Sequence, residues 1–299
     1  MTNSAQIAVI GLGAMGYGMA SSCLRAGNKV WGADIATAPV ERFRAEGGQP
    51  GNVADVAARL DIVVVSVLNA DQTAAVLFGP KGVAPLLRKG AAIVACATVS
   101  PDFAREMARK CDEYGLHYLD APISGGAAKA ASGQLSIMAA GLEAAFDASA
   151  PALDAMAATV FRLGDVGAGS AMKAVNQLLA GVHIAAMAEA LTFGMTQGVS
   201  PDKFLEVIPQ CAGTSWMLEN RAPHIAAGDY TPLSQVNIWP KDLGIVLDIA
   251  REAKFSAPLT AAALQQFLAA AGMGLGGQDD AAIAKVYARN AGLTLPGDV

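Results

Sequence analysis

Residues 6–16 of the chain read QIAVIGLGAMG, and residues 29–34 read KVWGAD. The first stretch is a short apolar run that turns directly into Gly-x-Gly-x-x-Gly at residues 11–16. The second is another apolar run, which ends on the acidic residue Asp34. A glycine-rich turn between a strand and a helix, followed about 20 residues later by an acidic side chain, is typical of dinucleotide-binding units.

The glycines of this turn have separate roles. One permits the tight turn, one lets a pyrophosphate approach the backbone, and one lets helix and strand pack closely, while N–H groups at the helix start bind the anion. The carboxylate of Asp34 can accept both ribose hydroxyls and would repel a 2′-phosphate, and no Arg or Lys follows it before Arg42. The stretch therefore predicts NAD as cofactor; the alternative is a glycine-rich turn without a ligand.

The composition is that of a globular protein with small-molecule ligands. A length of 299 residues suggests about two domains. The net charge is −5 and no basic cluster occurs, so neither a nucleic-acid nor an anionic-membrane partner is predicted. The four cysteines have no metal-ligand spacing and fit reduced thiols, so no metal site is predicted. No basic-then-apolar leader precedes the first strand, and a cytoplasmic location is expected.

Strand-like and helix-like segments alternate through the first half of the chain. The strand-like runs are residues 7–11, 30–33, 61–67, 91–95 and 117–119. This alternation predicts an α/β domain with a parallel, doubly wound sheet of the Rossmann type, over residues 1–165. Two further strand-like runs, 135–139 and 160–163, flank a helical segment and are predicted to extend the sheet at one edge.

The second half is predicted to be an all-α domain, over residues 166–299, joined through a long helix. No Pro interrupts residues 169–198, so one helix of about 45 Å is expected. The further helical segments are 201–211, 240–252, 258–271 and 279–290, with a flexible hinge at 272–277. The most apolar stretch, 174–188, is shorter than the roughly 20 residues that a membrane-spanning helix needs, and a membrane span is not predicted.

The apolar composition also predicts self-association. Hydrophobic residues make up 53% of the chain and charged residues 16%, and much of the apolar content is alanine in the second half. A helix that is apolar around much of its circumference needs more than one packing partner. We therefore expect a buried subunit interface and a homodimer or homotetramer.

Residues 120–126 read DAPISGG and follow a predicted strand. That position is the carboxyl edge of the sheet, where ligands of open α/β folds bind. Ser124 supplies a hydroxyl, and Gly125 and Gly126 permit a turn whose N–H groups converge on an anion. The segment fits a carboxylate site, and an ordinary Ser-Gly-Gly turn fits it equally well.

Residues 169–176 read GSAMKAVN and begin the long helix. Lys173 and Asn176 are three residues apart and so lie on one face of it. A lysine whose pKa is lowered by burial and by a positive nicotinamide ring can accept a hydroxyl proton while hydride leaves the same carbon. The alternative is a lysine that extends from an apolar helix to solvent.

Four other polar residues are considered for a functional or a purely structural role. Lys241 is predicted in the first turn of a helix, where the helix dipole disfavours a cation, so it is a candidate for closing over a ligand. Its neighbour Asp242 is explained as favourable first-turn charge. Thr98 lies where a strand-to-helix loop would meet a nicotinamide, or it caps the helix that follows. His183 is interpreted as an interior or interface histidine without metal-ligand spacing.

These segments, in this order and at this spacing, resemble the β-hydroxyacid dehydrogenase family, which includes 3-hydroxyisobutyrate, tartronate semialdehyde and threonate dehydrogenases. The resemblance covers nearly the whole chain and implies NAD-dependent oxidation of a small hydroxy acid. It implies Lys173 as general acid/base and Ser124, Gly125, Gly126 and Asn176 as substrate-binding residues. The implied cofactor-binding residues are Gly11, Leu12, Gly13, Ala14, Met15, Gly16, Asp34, Leu68, Thr98 and Lys241.

Residues 125–133 and 175–184 are most similar to the threonate dehydrogenase branch, which implies oxidation of the C2 hydroxyl of a four-carbon sugar acid. One departure is that residues 68–71 read LNAD where the family frequently has Met-Leu-Pro, so the loop over the cofactor is expected to differ. The alternatives are a 3-hydroxyisobutyrate dehydrogenase, a reductase of tartronate or succinic semialdehyde, and a non-catalytic NAD-binding module. Imine reductases of this superfamily generally lack the lysine, so Lys173 disfavours that activity.

Overall fold

The computed structural model describes residues 4–298. They divide into two compact units, the first ending at Lys173 and the second beginning at Ala174. The division falls inside the long helix, whereas the sequence places a domain boundary after residue 165, before that helix begins. One helix therefore contributes its first turns to one unit and the remainder to the other.

The first unit is built on a five-stranded sheet in which all neighbours are parallel. Its strands are β1 (Gln6–Ile10), β2 (Lys29–Ala33), β3 (Ile62–Val65), β4 (Ala92–Ala95) and β5 (His117–Asp120), in the order β2-β1-β3-β4-β5. Strands β3 and β4 are buried along their whole length, as expected for a parallel sheet covered on both faces. In β1, Ile7 and Val9 join one core cluster, and Ala8 between them joins the other. The predicted doubly wound sheet is confirmed.

A second sheet of three strands follows. It consists of β6 (Ile123–Ser124), β7 (Leu135–Ala139) and β8 (Ala157–Arg162), in that order. The prediction that residues 135–139 and 160–163 extend the first sheet is therefore wrong. Strand β5 ends at Asp120, and two residues later Pro122 has no N–H to continue a ladder. An isolated antiparallel bridge pairs Asp120 with Ala140.

The helices of the first unit connect these strands and cover both faces of the parallel sheet. They are α1 (Ala14–Arg25), α2 (Thr37–Ala45), α3 (Val53–Val56), α4 (Ala70–Phe78), α5 (Pro101–Glu113), α6 (Gly126–Ser132) and α7 (Glu143–Met156). Short 3₁₀ turns occur at Ala57–Arg59 and Ala84–Leu86. The N-cap of α5 is Ser100, whose hydroxyl accepts a hydrogen bond from Phe103 N–H at 3.2 Å. Thr98 is therefore not the cap, and that interpretation of it is wrong.

The long helix α8 (Ala168–Thr196) has 29 residues. The helices that follow it are α9 (Pro201–Val207), α10 (Trp216–Ala227), α11 (Ile238–Glu252), α12 (Pro258–Ala270) and α13 (Ala284–Asn290). The sequence missed α10 because Pro223 lies inside it, and a proline normally interrupts a helix. The sequence predicts a flexible hinge at residues 272–277, but their first part belongs to a π-helical turn at Ala271–Leu275.

By length and composition α8 could span a membrane, and 39% of its most apolar window is buried. The core helix of a soluble protein can have the same length and composition. Charged residues are rare in α8, and Lys173 is one of them. Its position is central to the candidate site.

Candidate active site

The candidate cofactor-binding residues of the first unit lie at the carboxyl edge of the parallel sheet. The glycine turn follows β1, Asp34 follows β2, Leu68 follows β3 and Thr98 follows β4. The chain passes from β1 to β2 on one side and from β2 to β3 on the other side of β1. The glycine turn therefore lies where the strand order reverses, which is the usual ligand position in open α/β sheets.

The glycine turn has the geometry that a dinucleotide needs. Gly11 has φ +95°, a conformation that favours glycine. A Cβ at Gly16 would lie 1.8 Å from the carbonyl oxygen of Gly11, so only glycine permits this approach of helix and turn. A Cβ at Gly13 would meet nothing within 4 Å, so the space beside this residue is open to a ligand. Gly13 is also the N-cap of α1 and provides no side chain to cap the first N–H groups of the helix.

The carboxylate of Asp34 lies beside this turn. Its Oδ2 accepts a hydrogen bond from Leu12 N–H at 2.7 Å, and its Oδ1 accepts one from Ala36 N–H at 2.9 Å. These bonds hold the carboxylate at the end of β2, where the sequence predicts the adenosine ribose. The next residue, Ile35, has a fully exposed side chain.

The loop after β3 is held by a local capping arrangement. The side chain of Asn69 caps α4 by accepting a hydrogen bond from Gln72 N–H at 2.9 Å. In return, Gln72 Oε1 accepts a hydrogen bond from Leu68 N–H at 2.9 Å. These reciprocal bonds resemble a capping box, although the second reaches one residue further back. They show how the loop is held in this protein, where residues 68–71 read LNAD and not the Met-Leu-Pro that is frequent in the family.

Residues 124–126 form a turn between β6 and α6. Gly125 and Gly126 have φ +132° and +77°, so both adopt conformations that disfavour other residues. Ser124 is half-buried, and Gly126 is exposed. The turn begins α6, but α6 has only seven residues, so the predicted anion binding would depend on the glycine backbone itself.

Lys173 is buried and makes a defined contact. Its side chain lies in the interior with the residue 9% exposed, and its Nζ donates a hydrogen bond to the carbonyl oxygen of Ile123 at 2.8 Å. Ile123 directly precedes Ser124. The alternative interpretation, a lysine that extends to solvent, is therefore wrong. The amino group of Lys173 lies next to the Ser-Gly-Gly turn.

Asp120 holds the start of the helix that carries Lys173. Its carboxylate is buried and accepts hydrogen bonds from Gly167 N–H at 3.0 Å, Ser170 N–H at 2.9 Å and Ser170 Oγ at 2.7 Å. Burial raises the pKa of this carboxyl, and the bonds from Ser170 and Gly167 oppose that rise. Asp120 thus caps α8, where a negative charge is favourable.

The second unit contains a row of polar side chains on α8 and α11. Asn176 Nδ2 donates to Gln177 Oε1 at 2.8 Å, and Gln177 Nε2 donates to Asp242 Oδ2 at 2.5 Å. Lys241 Nζ lies 2.6 Å from Asp242 Oδ1, as an ion pair rather than an aligned hydrogen bond. We call these four residues the Asn176–Lys241 polar chain.

The Asn176–Lys241 polar chain corrects one prediction and adds one residue to the candidate site. Asp242 was explained as a favourable first-turn charge, but α11 begins at Ile238 and has no acidic residue in its first turn, and Asp242 is only 2% exposed. Helical spacing could have shown this, because Trp239, Leu243 and Val246 put it on an apolar face. Gln177 was not predicted, since nothing in its local sequence identifies its partner.

Comparison with known proteins covers both units. The profile of the NAD binding domain of 6-phosphogluconate dehydrogenase matches residues 6–164. The profile described as NAD-binding of NADP-dependent 3-hydroxyisobutyrate dehydrogenase matches residues 167–287.

Individual proteins are similar over almost their full length. The chain is 51% identical to the L-threonate dehydrogenase of Cupriavidus necator, over 98% of this chain and 99% of that protein. It is 38% identical to the 2-(hydroxymethyl)glutarate dehydrogenase of Eubacterium barkeri, over 99% of each. The crystal structure of 3-hydroxyisobutyrate dehydrogenase from Salmonella typhimurium has a TM-score of 0.89 and 44% identity, and the match covers 95% of this chain and 100% of that one.

Proposed function

Because the chain belongs to the β-hydroxyacid dehydrogenase family of NAD-dependent oxidoreductases, we propose that it oxidises the C2 hydroxyl of L-threonate to give 2-dehydro-L-erythronate. The similarity to L-threonate dehydrogenases supports this substrate, because five of them are 43–51% identical over nearly the full chain. The observation that carries the proposed chemistry is the buried Lys173 amino group beside the Ser124 turn.

The first unit provides the residues that would hold NAD. Residues 11–16 would bind the pyrophosphate through their N–H groups, and Asp34 would accept the ribose hydroxyls. Ile35 offers an exposed apolar surface next to the adenosine end. Leu68, Thr98 and Lys241 are the further cofactor contacts that we propose. Bound NAD would supply the hydride acceptor.

The residues of the protein bind the substrate and move the proton. The turn formed by Ser124, Gly125 and Gly126 would bind the carboxylate with its hydroxyl and N–H groups. As the neutral amine, Lys173 would accept the proton of the C2 hydroxyl as the C2–H bond breaks and its electron pair leaves as hydride. A ketone forms at C2, and the proton remains on the lysine until it is released to solvent. Asn176, three residues along the same helix, would bind a substrate hydroxyl.

A specific observation favours a second candidate substrate. The Salmonella typhimurium structure carries the name 3-hydroxyisobutyrate dehydrogenase at 44% identity, so the same residues could serve a hydroxy acid in which C3 carries the hydroxyl. The two substrates differ in the carbon that presents its hydroxyl to Lys173 when the carboxylate is held by the turn. They are therefore distinguishable by rate.

The test is the initial rate of NADH formation with L-threonate, with 3-hydroxyisobutyrate and glycerate in parallel and NADP replacing NAD as a control. We expect turnover with L-threonate and NAD and a much lower kcat/KM with the other acids. A preference for 3-hydroxyisobutyrate would favour the second candidate. No turnover with any of the three acids, despite NADH binding, would favour a non-catalytic NAD-binding module.

We also propose that the chain forms a homodimer or homotetramer in the cytoplasm. Met172, Val175 and Leu179 recur along one face of α8 and are 45%, 54% and 49% exposed. Phe193, further along the helix, is 65% exposed. Exposed apolar surface of this kind favours a protein contact, and a second copy of the chain provides the same surface.

A further inference from the structure

The Asn176–Lys241 polar chain connects two residues that, in the proposed function, bind different ligands. Asn176 would bind the substrate, and Lys241 would contact the cofactor. Between them lie Gln177 and Asp242, which have no role in the proposed chemistry and are 7% and 2% exposed. Burying a polar amide and a carboxylate costs free energy unless each group is compensated. Here each is compensated by the other and by the two candidate ligand residues.

The packing of α8 against α11 brings these groups within bonding distance. Gly181 lies one helical turn after Gln177 on the same face of α8. A Cβ at Gly181 would lie 2.8 Å from Leu243 Cδ2 and 3.0 Å from Trp239 Cε3. The glycine therefore permits a close approach of the two helices. That approach is what allows the short side chain of Asp242 to reach Gln177.

The direction of the hydrogen bonds in the Asn176–Lys241 polar chain follows from the carboxylate of Asp242. An ionised carboxylate only accepts hydrogen bonds, so Gln177 must turn its NH₂ group toward Asp242. Its amide oxygen then faces Asn176, which must donate through Nδ2. Asn176 Oδ1 therefore takes no part in the hydrogen bond to Gln177. The orientation of an amide is otherwise ambiguous, because oxygen and NH₂ have nearly the same shape.

We propose that Gln177 and Asp242 are positioning residues, which orient Asn176 so that its amide oxygen accepts a hydrogen bond from a substrate hydroxyl, and which hold Lys241 through the same carboxylate. The substrate part of this inference rests on the proposed function, and the Lys241 part needs only cofactor binding. An acceptor at Asn176 selects polyhydroxy acids, since a substrate without a second hydroxyl leaves the amide oxygen without a donor.

Two single variants disrupt the hydrogen bonds of the Asn176–Lys241 polar chain. In Asp242→Asn the residue no longer dictates the orientation of Gln177, and Lys241 loses its counter-charge. We expect KM for L-threonate to rise about tenfold or more, and the NADH dissociation constant to rise as well. In Gln177→Glu two carboxylates face each other, and we expect a comparable rise in KM.

The double variant Gln177→Glu/Asp242→Asn separates the two functions. The new amide at position 242 can donate to one oxygen of the new carboxylate at position 177, and the other oxygen can accept from Asn176, so the original direction returns. We expect KM for L-threonate to recover to within about threefold of wild type, because the hydrogen-bond direction is the property it depends on. NADH binding should stay weak, because position 242 no longer carries the charge that pairs with Lys241.

Asp248→Asn and Gln265→Glu are matched controls, since both positions are exposed and lie on α11 and α12. Their kinetic constants should equal those of wild type. A merely structural role predicts that each variant loses activity in proportion to its loss of thermal stability. The proposal is overturned if Asp242→Asn leaves both KM and NADH affinity unchanged, or if the folded double variant does not recover KM.

Failure of the proposed function can be recognised separately. If wild type does not oxidise L-threonate, the assigned substrate is wrong, and NADH titration by fluorescence still tests the contact between Asp242 and Lys241. Weaker NADH binding by Asp242→Asn than by Asp248→Asn would support that contact. Equal binding by the two variants would overturn it.

Discussion

At the scale of single residues, the candidate chemistry depends on one buried amine. Lys173 lies in a largely apolar helix, and its Nζ is fixed by the carbonyl oxygen of Ile123 at 2.8 Å. A backbone carbonyl accepts a hydrogen bond from the lysine amino group without adding a negative charge, so the contact positions Nζ in either protonation state. The residue that holds the lysine thus immediately precedes Ser124, which we propose to bind the substrate.

Lys173→Met keeps most of the side-chain volume and removes the amine. We expect kcat to fall by a factor of about 10² to 10⁴, because the proton of the substrate hydroxyl loses its acceptor. NADH affinity should change little, since the proposed cofactor contacts lie elsewhere. Stopped-flow or steady-state assays, together with NADH titration, measure both quantities. A variant with wild-type kcat would show that Lys173 is not the proton acceptor.

Asp120 gives a pH-dependent prediction. Burial raises the pKa of its carboxyl above the usual 3.8 in the folded protein. An acid with a raised folded-state pKa contributes stability that is complete below the unfolded-state pKa and is lost as pH rises through the folded-state pKa. In Asp120→Asn the group does not titrate. The free energy of unfolding of wild type minus that of the variant should therefore decrease as pH rises above 3.8.

Urea denaturation of both proteins between about pH 4 and pH 7 measures this difference. The amide also loses an acceptor for the start of α8, which shifts the difference by a constant and does not change its slope. A difference that increases with pH would mean that the hydrogen bonds from Ser170 and Gly167 outweigh burial.

At the scale of elements, α8 depends on where its glycines lie. Gly181 faces Leu243 and Trp239 of α11 at distances that leave no space for a Cβ. Gly194 lies in the same helix, and a Cβ there would be 3.6 Å from Val199 Cβ, an ordinary contact. The same residue type therefore serves close packing at one position and only lowers helix propensity at the other.

Two substitutions in the one helix test this difference. Gly181→Ala should lower the free energy of unfolding by about 1–3 kcal/mol, because the side chains of α11 must move. Gly194→Ala should leave it unchanged or raise it by up to about 1 kcal/mol through helix propensity. Chemical denaturation of both variants provides the comparison. Equal effects would mean that helix packing around Gly181 adjusts without cost.

At the scale of the whole molecule, the exposed apolar surface on α8 is the feature that bears on self-association. The chain combines 53% hydrophobic residues with a net charge of −5. Single exposed apolar residues are common on proteins, but a repeated series on one helix face is not. In α8 this series comprises Met172, Val175 and Leu179.

Leu179→Glu tests whether a second copy covers this face. We expect wild type to be a dimer or tetramer at micromolar concentration and the variant to dissociate, because a buried unpaired carboxylate is unfavourable in an interface. Multi-angle light scattering gives both masses. As a control, Glu189→Gln on the same helix should keep the mass of wild type. A monomeric wild type would contradict the proposed oligomer.

The sequence alone was sufficient for the features that depend on local pattern. Alternating apolar runs predicted the parallel sheet, the glycine turn and Asp34 predicted NAD, and the spacing in residues 169–176 put Lys173 and Asn176 on one helix face. Strand length, turn conformation and helix periodicity are set by neighbouring residues, so such features can be predicted from short stretches.

Only the tertiary structure decided which distant groups meet. Asp120 caps a helix that begins about 50 residues later, and Gln177 bonds to Asp242 across a separation of 65 residues. The separate three-stranded sheet likewise replaced a plausible local interpretation. Buried polar groups select their partners by position in the folded chain, because burial imposes the need for a partner and packing determines which group is within reach.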